Sequence, residues 1–525
     1  MTTVFENATT HAQKSFVNEP FTDFSQESNR RAQEAALEQV KNELGRTYPL
    51  IIGGKEIYSE QTFNSVNPGQ PDQVVGTFVA ATREQAEEAI QAATASFESW
   101  KRVPAVERAG YLFAAADLMR QRRFLINAWM VYEVGKSWVE ADVEAAEAID
   151  FLEFYGREVL RLADKQPITP FPGEENELVY IPLGVGAVIP PWNFPCAIMA
   201  GMTSAGFVSG NTIVLKPAST APAIAYQFMQ ILKEVGLPAG VVNFLTGSGS
   251  TIGDALVDSP KIRFISFTGS REVGTRIYER ASKVHPGQLW LKRSVLEMGG
   301  KDAILVDESA DIEDAATNIV SSAFGFQGQK CSAGSRAIIV EAVYDDILQR
   351  VVEKAKKLTM GDVTQQGTYM GAVVDANAKK KILEYIEIGK NEGKLVLGGG
   401  EQGPGYFVEP TVFADVDPQA RIAREEIFGP VLAVMKAKDF DHALAIANNT
   451  EYGLTGSLYS TNREHIARAK EEYHVGNLYF NRKCTGALVG VHPFGGFNMS
   501  GTDSKAGGRD YLLLFTQAKA ISEKK

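Results

Sequence analysis

The chain has 525 residues, more than one ordinary hydrophobic core contains, so its length predicts two or three domains. Hydrophobic residues make up 44% and charged residues 22%, proportions typical of a globular protein. The net charge of −11 argues against a nucleic-acid-binding surface, which requires a basic stripe. Small molecules are therefore the expected partners.

The N-terminal residues, the longest apolar stretch, the cysteines and the histidines argue against further classes of protein. Residues 1–14 are polar, so we expect no secretory signal. The longest apolar stretch, 183–208, is interrupted by three prolines and is a poor membrane span. Three cysteines cannot form a closed disulfide framework, and neither they nor the six histidines have the spacing of a metal site. We expect no metal, no membrane association and a reducing, cytoplasmic location.

Helical periodicity dominates the N-terminal third of the chain. A charged helix over 25–46 is interpreted as a packing arm rather than a site. Amphipathic helices are predicted over 82–100, 105–134 and 141–162.

From residue 183, short β-rich runs alternate with helices. The predicted strands lie at 185–189, 212–216, 241–245 and 262–267, and helices begin at about 196, 221 and 272. This alternation is typical of βαβ units and predicts a parallel, Rossmann-like sheet. A second α/β series runs from 302 to about 481, with strands at 337–340 and 432–434 and helices at 342–358 and 440–448.

Two glycine-bearing segments are weak phosphate-binding signals. Gly247, Gly249 and Gly253 follow a strand, but their spacing is one residue too long for the dinucleotide fingerprint, and an ordinary turn explains them equally well. The segment 135–137, Gly-Lys-Ser, resembles the end of a P-loop. We reject it because position 130 is Met where the P-loop requires glycine.

A third segment is a better candidate. The strand ending near Phe267 leads through Gly269 and Ser270 into a helix that contains Gly274. Two glycines allow the backbone to approach a ligand, and the free N–H groups of the helix can face a pyrophosphate. A plain strand–helix turn capped by Ser270 is the alternative.

Cys331 has unusual neighbours for a structural cysteine. It lies among small polar residues, with Lys330 beside it, where a thiolate can be stabilised and reached by substrate. A buried, structural cysteine is the competing interpretation. That interpretation is kept for Cys196 and Cys484.

Two further side chains can assist a nucleophile. Glu297 lies between apolar residues and two glycines, a setting that favours burial and a raised pKa, as a general base requires; a surface turn is the alternative. Asn193 is held between prolines, where its amide can donate to an oxyanion; an ordinary turn asparagine is the alternative.

Seven segments, taken together and in order, resemble the aldehyde dehydrogenase superfamily from about residue 50 to 520. They are 191–195, 216–219, 267–270, 297–300, 328–331, 426–430 and 493–496.

The resemblance implies a role for each matching residue. Cys331 is the nucleophile, Glu297 is the base, and Asn193 with the backbone N–H of Cys331 forms the oxyanion hole. In the cofactor site the implied residues are Lys216 and Glu426 at the two riboses, Gly269, Ser270 and Gly274 at the pyrophosphate turn, and Phe428 beside the nicotinamide ribose. The implied reaction is oxidation of an aldehyde with NAD through a thioester on Cys331, which water then hydrolyses.

Ser219 departs from the pattern of many NAD-preferring members, which carry glutamate there. That glutamate binds the adenosine ribose and repels a 2′-phosphate. Since serine does neither, the resemblance implies that NADP is accepted as well as NAD.

A closer resemblance is to the branch of the superfamily that oxidises L-glutamate γ-semialdehyde in proline catabolism. It is carried by residues 328–332 and 481–490. It implies that Ser332 and the backbone of Gly486 and Ala487 bind the α-carboxylate of the substrate. Phe194 and Phe497 are candidates to line its aliphatic part, with plain core packing as the alternative.

The resemblance also implies a division into domains: an N-terminal arm (1–46), a dinucleotide-binding domain (47–165 and 183–297), a catalytic domain (298–495) and a small β extension (166–182 and 496–525). The extension, including an alternating apolar run at 511–521, implies a homodimer or a multiple of dimers.

Three alternatives stay open. One is a succinate-semialdehyde or general aliphatic aldehyde dehydrogenase. Another is a catalytically silent structural protein of the same fold. The third is a CoA-acylating relative, a branch that usually lacks the base present here as Glu297.

Overall fold

The structure is a computed structural model that describes residue 11 and residues 14–525. The part of the N-terminal arm before residue 14, apart from residue 11, lies outside the described residues. The helices lie at Glu27–Lys41 (α1), Arg83–Trp100 (α2), Ala105–Gln121 (α3), Arg123–Val134 (α4), Trp138–Ala163 (α5), Ala197–Val208 (α6), Pro222–Glu234 (α7), Asp254–Asp258 (α8), Arg271–Ala281 (α9), Ile312–Phe324 (α10), Tyr344–Ala355 (α11), Ala376–Glu392 (α12), Arg421–Arg424 (α13), Phe440–Asn448 (α14) and Arg463–Glu472 (α15).

The strands, in chain order, lie at Arg46–Tyr48 (β1), Leu50–Ile52 (β2), Lys55–Ile57 (β3), Thr62–Asn67 (β4), Gln70–Val79 (β5), Glu174–Pro182 (β6), Val185–Ile189 (β7), Thr212–Leu215 (β8), Val242–Phe244 (β9), Ile262–Thr268 (β10), Arg293–Glu297 (β11), Ala303–Val306 (β12), Arg336–Val340 (β13), Lys394–Leu397 (β14), Glu401–Gln402 (β15), Phe407–Val408 (β16), Thr411–Ala414 (β17), Val431–Ala437 (β18), Tyr452–Gly453 (β19), Thr455–Tyr459 (β20), Asn477–Phe480 (β21), Phe497–Asn498 (β22) and Thr516–Lys524 (β23). Short helical turns lie at Gly249–Gly253, Gly325–Gly328, Glu341–Val343 and Tyr511–Phe515.

The first large sheet has the order β11-β10-β7-β8-β9-β2-β3. Its first five strands are parallel, whereas β2 and β3 join antiparallel at one edge. β8 and β9 are buried throughout because helices cover both faces, which explains why most of their residues are apolar. The chain runs from β7 outward to β8 and β9 and then returns to the other side of β7 with β10. This reversal is where open α/β sheets place their ligands.

The second large sheet has the order β14-β17-β18-β13-β12-β20-β21. All its pairs are parallel except that of β14 with β17. The two sheets together confirm the predicted α/β fold class with a Rossmann-like sheet. A smaller, three-stranded sheet has the order β1-β5-β4.

Two predicted elements were wrong in part. The single helix over 105–134 is interrupted at Arg122, which leaves helical geometry (φ −104°, ψ 15°). The break starts a new helix at Arg123, whose guanidinium reaches the buried Asp142 carboxylate at 2.6 Å. Periodicity does not detect a one-residue break of this kind.

The alternating apolar run at 511–521, expected to be part of the β extension, becomes a strand only from Thr516, because Tyr511–Phe515 forms a 3-10 turn that buries Tyr511 and Phe515. From Thr516, β23 pairs with β6 in a two-stranded antiparallel ribbon. Most of β23 is exposed.

Within the described part of the chain, no helix is long and apolar enough to cross a membrane.

Candidate active site

A cleft of about 570 Å³ opens at the reversal point of the first sheet. Its walls are formed by residues that follow β7, β8, β10 and β11 and by two loops of the second sheet. It brings together seven of the predicted site residues: Asn193, Lys216, Gly269, Ser270, Cys331, Glu426 and Phe428. The other predicted residues lie outside the lining of this cleft.

Lys216 follows β8 and is 5% exposed. Burial lowers the pKa of its ammonium to about 8. Its one hydrogen bond within the described residues goes to the Pro217 carbonyl, at 3.3 Å. A buried ammonium that lines a cleft and has so few hydrogen-bond partners in the protein is suited to bind the hydroxyls or the phosphate of a ligand. Ser219, nearby and exposed, donates to the Gly247 carbonyl at 3.1 Å.

The turn after β10 combines both interpretations made from the sequence. Ser270 caps α9 by accepting from the Val273 N–H (3.3 Å), and Gly269, Ser270 and Val273 also line the cleft. The helix N-terminus therefore faces the space where an anion would lie. Gly274 does not line the cleft: it is buried against Met298, and a Cβ there would overlap that side chain, so its role at the cofactor stays a prediction.

Glu426 and Phe428 enter the cleft from the second sheet. The Glu426 carboxylate accepts from the Gly300 N–H at 3.0 Å, and burial raises its pKa. A Cβ on Gly299 would overlap this carboxylate, which explains the glycine at that position. Phe428 has a left-handed backbone (φ 61°), which places its ring edge-on to Trp192, with centroids 5.5 Å apart.

Cys331 lines the cleft and is partly exposed, but its lysine neighbour does not act as predicted. The Lys330 ammonium turns away to the Glu140 carboxylate, 2.8 Å distant. Burial, together with the negative charges of Asp302, Glu297 and Glu426, raises the pKa of the Cys331 thiol well above its ordinary value. The protein alone therefore favours the thiol, and the thiolate requires a positive charge or a base supplied at the site.

Asn193 is 4% exposed and is fixed by the loop that carries the thiol. Its Nδ2 donates to the Gln329 carbonyl at 3.0 Å, two residues before Cys331. Gln329 is itself anchored, because its Oε1 accepts from the Val374 N–H at 2.9 Å. One amide hydrogen of Asn193 is thus used to orient the group, which leaves the second available to an oxyanion.

Glu297, at the end of β11, makes a contact that the sequence did not indicate. Its Oε1 accepts a hydrogen bond from the Ser504 hydroxyl, and Gly495 lies against it. Burial raises the pKa of Glu297 to about 8, although the Ser504 hydroxyl and the Lys505 charge oppose the rise. Its Oε2 is buried and has no partner among the described residues. This carboxyl can accept a proton close to neutral pH.

The predicted substrate loop lies beside the residue after the thiol. The Cys484 thiol contacts the Ser332 carbonyl at 3.5 Å. Gly486 has φ 77°, and its carbonyl accepts from Arg482 at 3.0 Å. Among the described residues the N–H groups of Gly486 and Ala487 have no hydrogen-bond acceptor, so they remain available to a ligand.

The two candidate aromatic residues are both partly buried. The Phe194 ring lies 4.1 Å from the Lys136 ammonium. Phe497 lies beside His474, with ring centroids 5.0 Å apart, and the Lys505 ammonium is 5.3 Å from its centroid. These contacts account for both rings by packing, so their role toward substrate stays a prediction.

A histidine and two carboxylates meet away from the cleft: His11 lies 3.3 Å from Asp117 and 3.4 Å from Glu153. Arg120 and Arg157 already pair with the Glu153 carboxylate, at 2.8 and 2.6 Å. We interpret the group as an ion-pair cluster that holds the arm.

A thiol and an amide donor that line the cleft, together with a buried carboxyl, are the groups expected of a dehydrogenase site. The profile of the aldehyde dehydrogenase family matches residues 57–521, and the chain belongs to this family. The chain is 61% identical over 507 residues to 1-pyrroline-5-carboxylate dehydrogenase of Geobacillus kaustophilus, covering 96% of this chain and 98% of that one. It is 60% identical to the enzyme of the same name from Geobacillus thermodenitrificans, over 97% and 99% of the two chains. A crystal structure of 1-pyrroline-5-carboxylate dehydrogenase from Thermus with bound NAD superposes with a TM-score of 0.96, at 52% identity, over 98% of this chain and 99% of that chain.

Proposed function

We propose that this chain oxidises L-glutamate γ-semialdehyde, the open form of 1-pyrroline-5-carboxylate, to L-glutamate in proline catabolism. The observation that carries the proposal is that Cys331 and Asn193 both line the cofactor cleft and that the 484–487 loop lies beside Ser332, the residue after Cys331. The names of relatives about 60% identical over nearly the whole chain support the same substrate.

NAD fits the cleft by the chemistry of its lining. Lys216 and Glu426 offer a buried cation and a buried carboxylate to ribose hydroxyls, and the N-terminus of α9 faces the position of a pyrophosphate. When bound there, NAD supplies the hydride acceptor. Ser219 presents no negative charge, so we infer that NADP is also accepted.

Cys331 and Asn193 perform the oxidation step. The Cys331 thiol loses its proton to solvent, the sulfur adds to the aldehyde carbon, and the carbonyl oxygen becomes an oxyanion. The second amide hydrogen of Asn193 and the Cys331 N–H stabilise that charge. When the oxyanion collapses, the carbon loses its hydride and remains bound to Cys331 as a thioester.

Glu297 performs the hydrolysis step. With a pKa of about 8, its carboxyl is about one tenth ionised at pH 7 and about half ionised at pH 8, and the ionised form can take a proton from water. The resulting hydroxide attacks the thioester, and the thiol of Cys331 departs from the acid product. Ser504 holds Oε1 of Glu297 and so restricts the positions that the base adopts.

The loop at 484–487 gives the selectivity. The Gly486 and Ala487 N–H groups and the Ser332 hydroxyl form a set of donors suited to a carboxylate. A hydrogen bond to a charged group contributes about 1.5–3 kcal/mol. Loss of several such bonds lowers kcat/KM by more than a hundredfold for an aldehyde that lacks the α-carboxylate.

The test is a steady-state comparison of L-glutamate γ-semialdehyde, succinate semialdehyde and pentanal with NAD⁺. We expect the first to have the highest kcat/KM and Cys331→Ala to abolish oxidation of all three. Equal kcat/KM for pentanal and the semialdehyde would mean a general aldehyde dehydrogenase. Retained activity in Cys331→Ala would exclude the covalent mechanism.

We also infer that the chain forms a homodimer or a multiple of dimers. A two-stranded ribbon such as β6–β23 is marginally stable in water on its own, and most of β23 is exposed. Pairing with a second copy would cover it.

A further inference from the structure

The Gly135-Lys136-Ser137 turn, rejected above as a phosphate loop, has a different setting in the structure. It follows α4, which ends at Val134 and is capped by Gly135 in a left-handed conformation (φ 68°). The Lys136 ammonium is fully buried and pairs with the fully buried Glu144 carboxylate at 2.7 Å. Neither group lines the cleft. Burying two charges is costly, so their retention requires a reason.

The pair contacts the oxyanion-hole segment on one side. The Lys136 ammonium lies 4.1 Å from the ring of Phe194, the residue after Asn193. The Glu144 Oε1 accepts from the N–H groups of Cys196 and Ala197, at 2.7 and 3.0 Å. The Lys136–Glu144 pair therefore contacts the segment that carries Asn193 through the side chain of Phe194 and through the backbone N–H groups of Cys196 and Ala197.

The pair contacts the nucleophile loop on the other side. The Lys136 ammonium also lies 4.1 Å from the Phe326 ring, and the Gln327 amide donates to the Gly135 carbonyl at 3.2 Å. Phe326 and Gln327 both have left-handed backbones, with φ of 49° and 56°. Such strain persists only where surrounding contacts enforce it. The turn at 135–137 supplies two of these contacts.

We propose that Lys136 and Glu144 are positioning residues that set the Asn193 amide against the Cys331 loop. Lys136 lies between one aromatic ring from each segment, and a cation between two ring faces is held from both sides. Glu144 fixes the ammonium and, through the N–H groups at the start of α6, the Asn193 turn. The pair thus joins the two halves of the oxyanion hole without touching substrate.

The experiment measures the burst of NADH in the first turnover with L-glutamate γ-semialdehyde. Lys136→Met keeps the length of the side chain and removes its charge. We expect its burst rate to fall at least tenfold while the Kd for NAD⁺ stays within twofold of wild type. The Asn193→Ala, Lys136→Met double variant should react within about threefold of Asn193→Ala alone, because a residue that acts through Asn193 adds little once the amide is gone.

Arg123→Met is the matched control, since Arg123 forms another buried ion pair with the same helix, at Asp142. It should lower the Tm but keep the burst rate within twofold. Glu144→Gln serves as the second variant if Lys136→Met does not fold, because it keeps the acceptor for Cys196 and Ala197 and loses only charge. Its burst rate should fall threefold to tenfold.

A burst rate within twofold of wild type in the folded variants overturns the positioning role. So does a double variant whose burst rate is reduced by the product of the two single-variant reductions. The inference rests on the proposed function. A wild-type chain that gives no burst with any aldehyde overturns that function, whereas a normal wild-type burst unchanged in the variants overturns only the positioning role.

Discussion

The Glu297 carboxyl and the Ser504 hydroxyl form the contact at the site that bears most directly on pH dependence. Burial raises the pKa of Glu297 to about 8, and the hydrogen bond from Ser504 lowers it, because that bond favours the charged form. Hydrolysis requires the ionised base. Its rate should therefore rise with pH through a midpoint near 8.

Replacing Ser504 by alanine removes the opposing hydrogen bond, so the pKa of Glu297 should rise further. A bond of about 1.5 kcal/mol corresponds to about one pH unit. The midpoint of kcat against pH should move upward by about that much, with the largest loss of rate below pH 8. Ser500→Ala, in the same loop, is the control. A midpoint that stays in place or moves down would show that Ser504 does not tune this base.

Ser219 is the residue at which cofactor choice can be changed. Ser219→Glu should raise the KM for NADP⁺ and change that for NAD⁺ much less, because a carboxylate there repels the 2′-phosphate. The Coulomb energy between two such charges is on the order of 1–4 kcal/mol near a surface, or at least a fivefold change in KM. Steady-state assays with both cofactors measure the ratio, with NAD⁺ as the internal reference. Equal changes for the two cofactors would place Ser219 away from the ribose.

At the scale of elements, the turn at 484–487 depends on one glycine. Gly486 has φ 77°, a conformation that costs an L-residue about 1–2 kcal/mol. The strain distorts the adjacent N–H donors, so Gly486→Ala should raise the KM for L-glutamate γ-semialdehyde severalfold and leave the kinetics of pentanal unchanged.

Gly236 provides the matched control for that substitution. Its φ is 78°, and a Cβ there would have open space around it. Gly236→Ala should lower the free energy of unfolding by a similar amount without changing either KM. If both variants alter KM equally, or if Gly486→Ala affects pentanal as strongly as the semialdehyde, the loop does not bind the α-carboxylate.

At the scale of the whole molecule, we expect a second copy of the chain to pair with this one at the β6–β23 ribbon. In size-exclusion chromatography with light scattering, the chain should have at least twice its 57.2 kDa mass. Deleting residues 516–525 should reduce the assembly to a smaller species, because β6 then lacks its partner strand. Deletion of Lys525 alone is the control. A monomeric full-length chain, or an unchanged assembly after the longer deletion, would contradict this pairing.

The sequence by itself determined most of the elements and the members of the cleft. Strand β7 coincides with its predicted range, as does helix α14, because apolar periodicity reflects burial on one face or on both, which is a local property. The motifs around Cys331 and Glu297 are likewise contiguous. The domain limits inferred from the resemblance stay a prediction.

Only the tertiary structure decided which side chains meet. Lys330 pairs with Glu140 rather than with the thiol beside it, Ser504 lies 207 residues from Glu297, and Lys136 joins two segments that are distant in the chain. A side chain chooses among partners by distance and desolvation, and both depend on how sheets and helices pack. No local pattern contains that information, so a lysine next to a cysteine in sequence can be bound elsewhere, and a motif rejected as a phosphate loop can contact the segments that carry both Asn193 and Cys331.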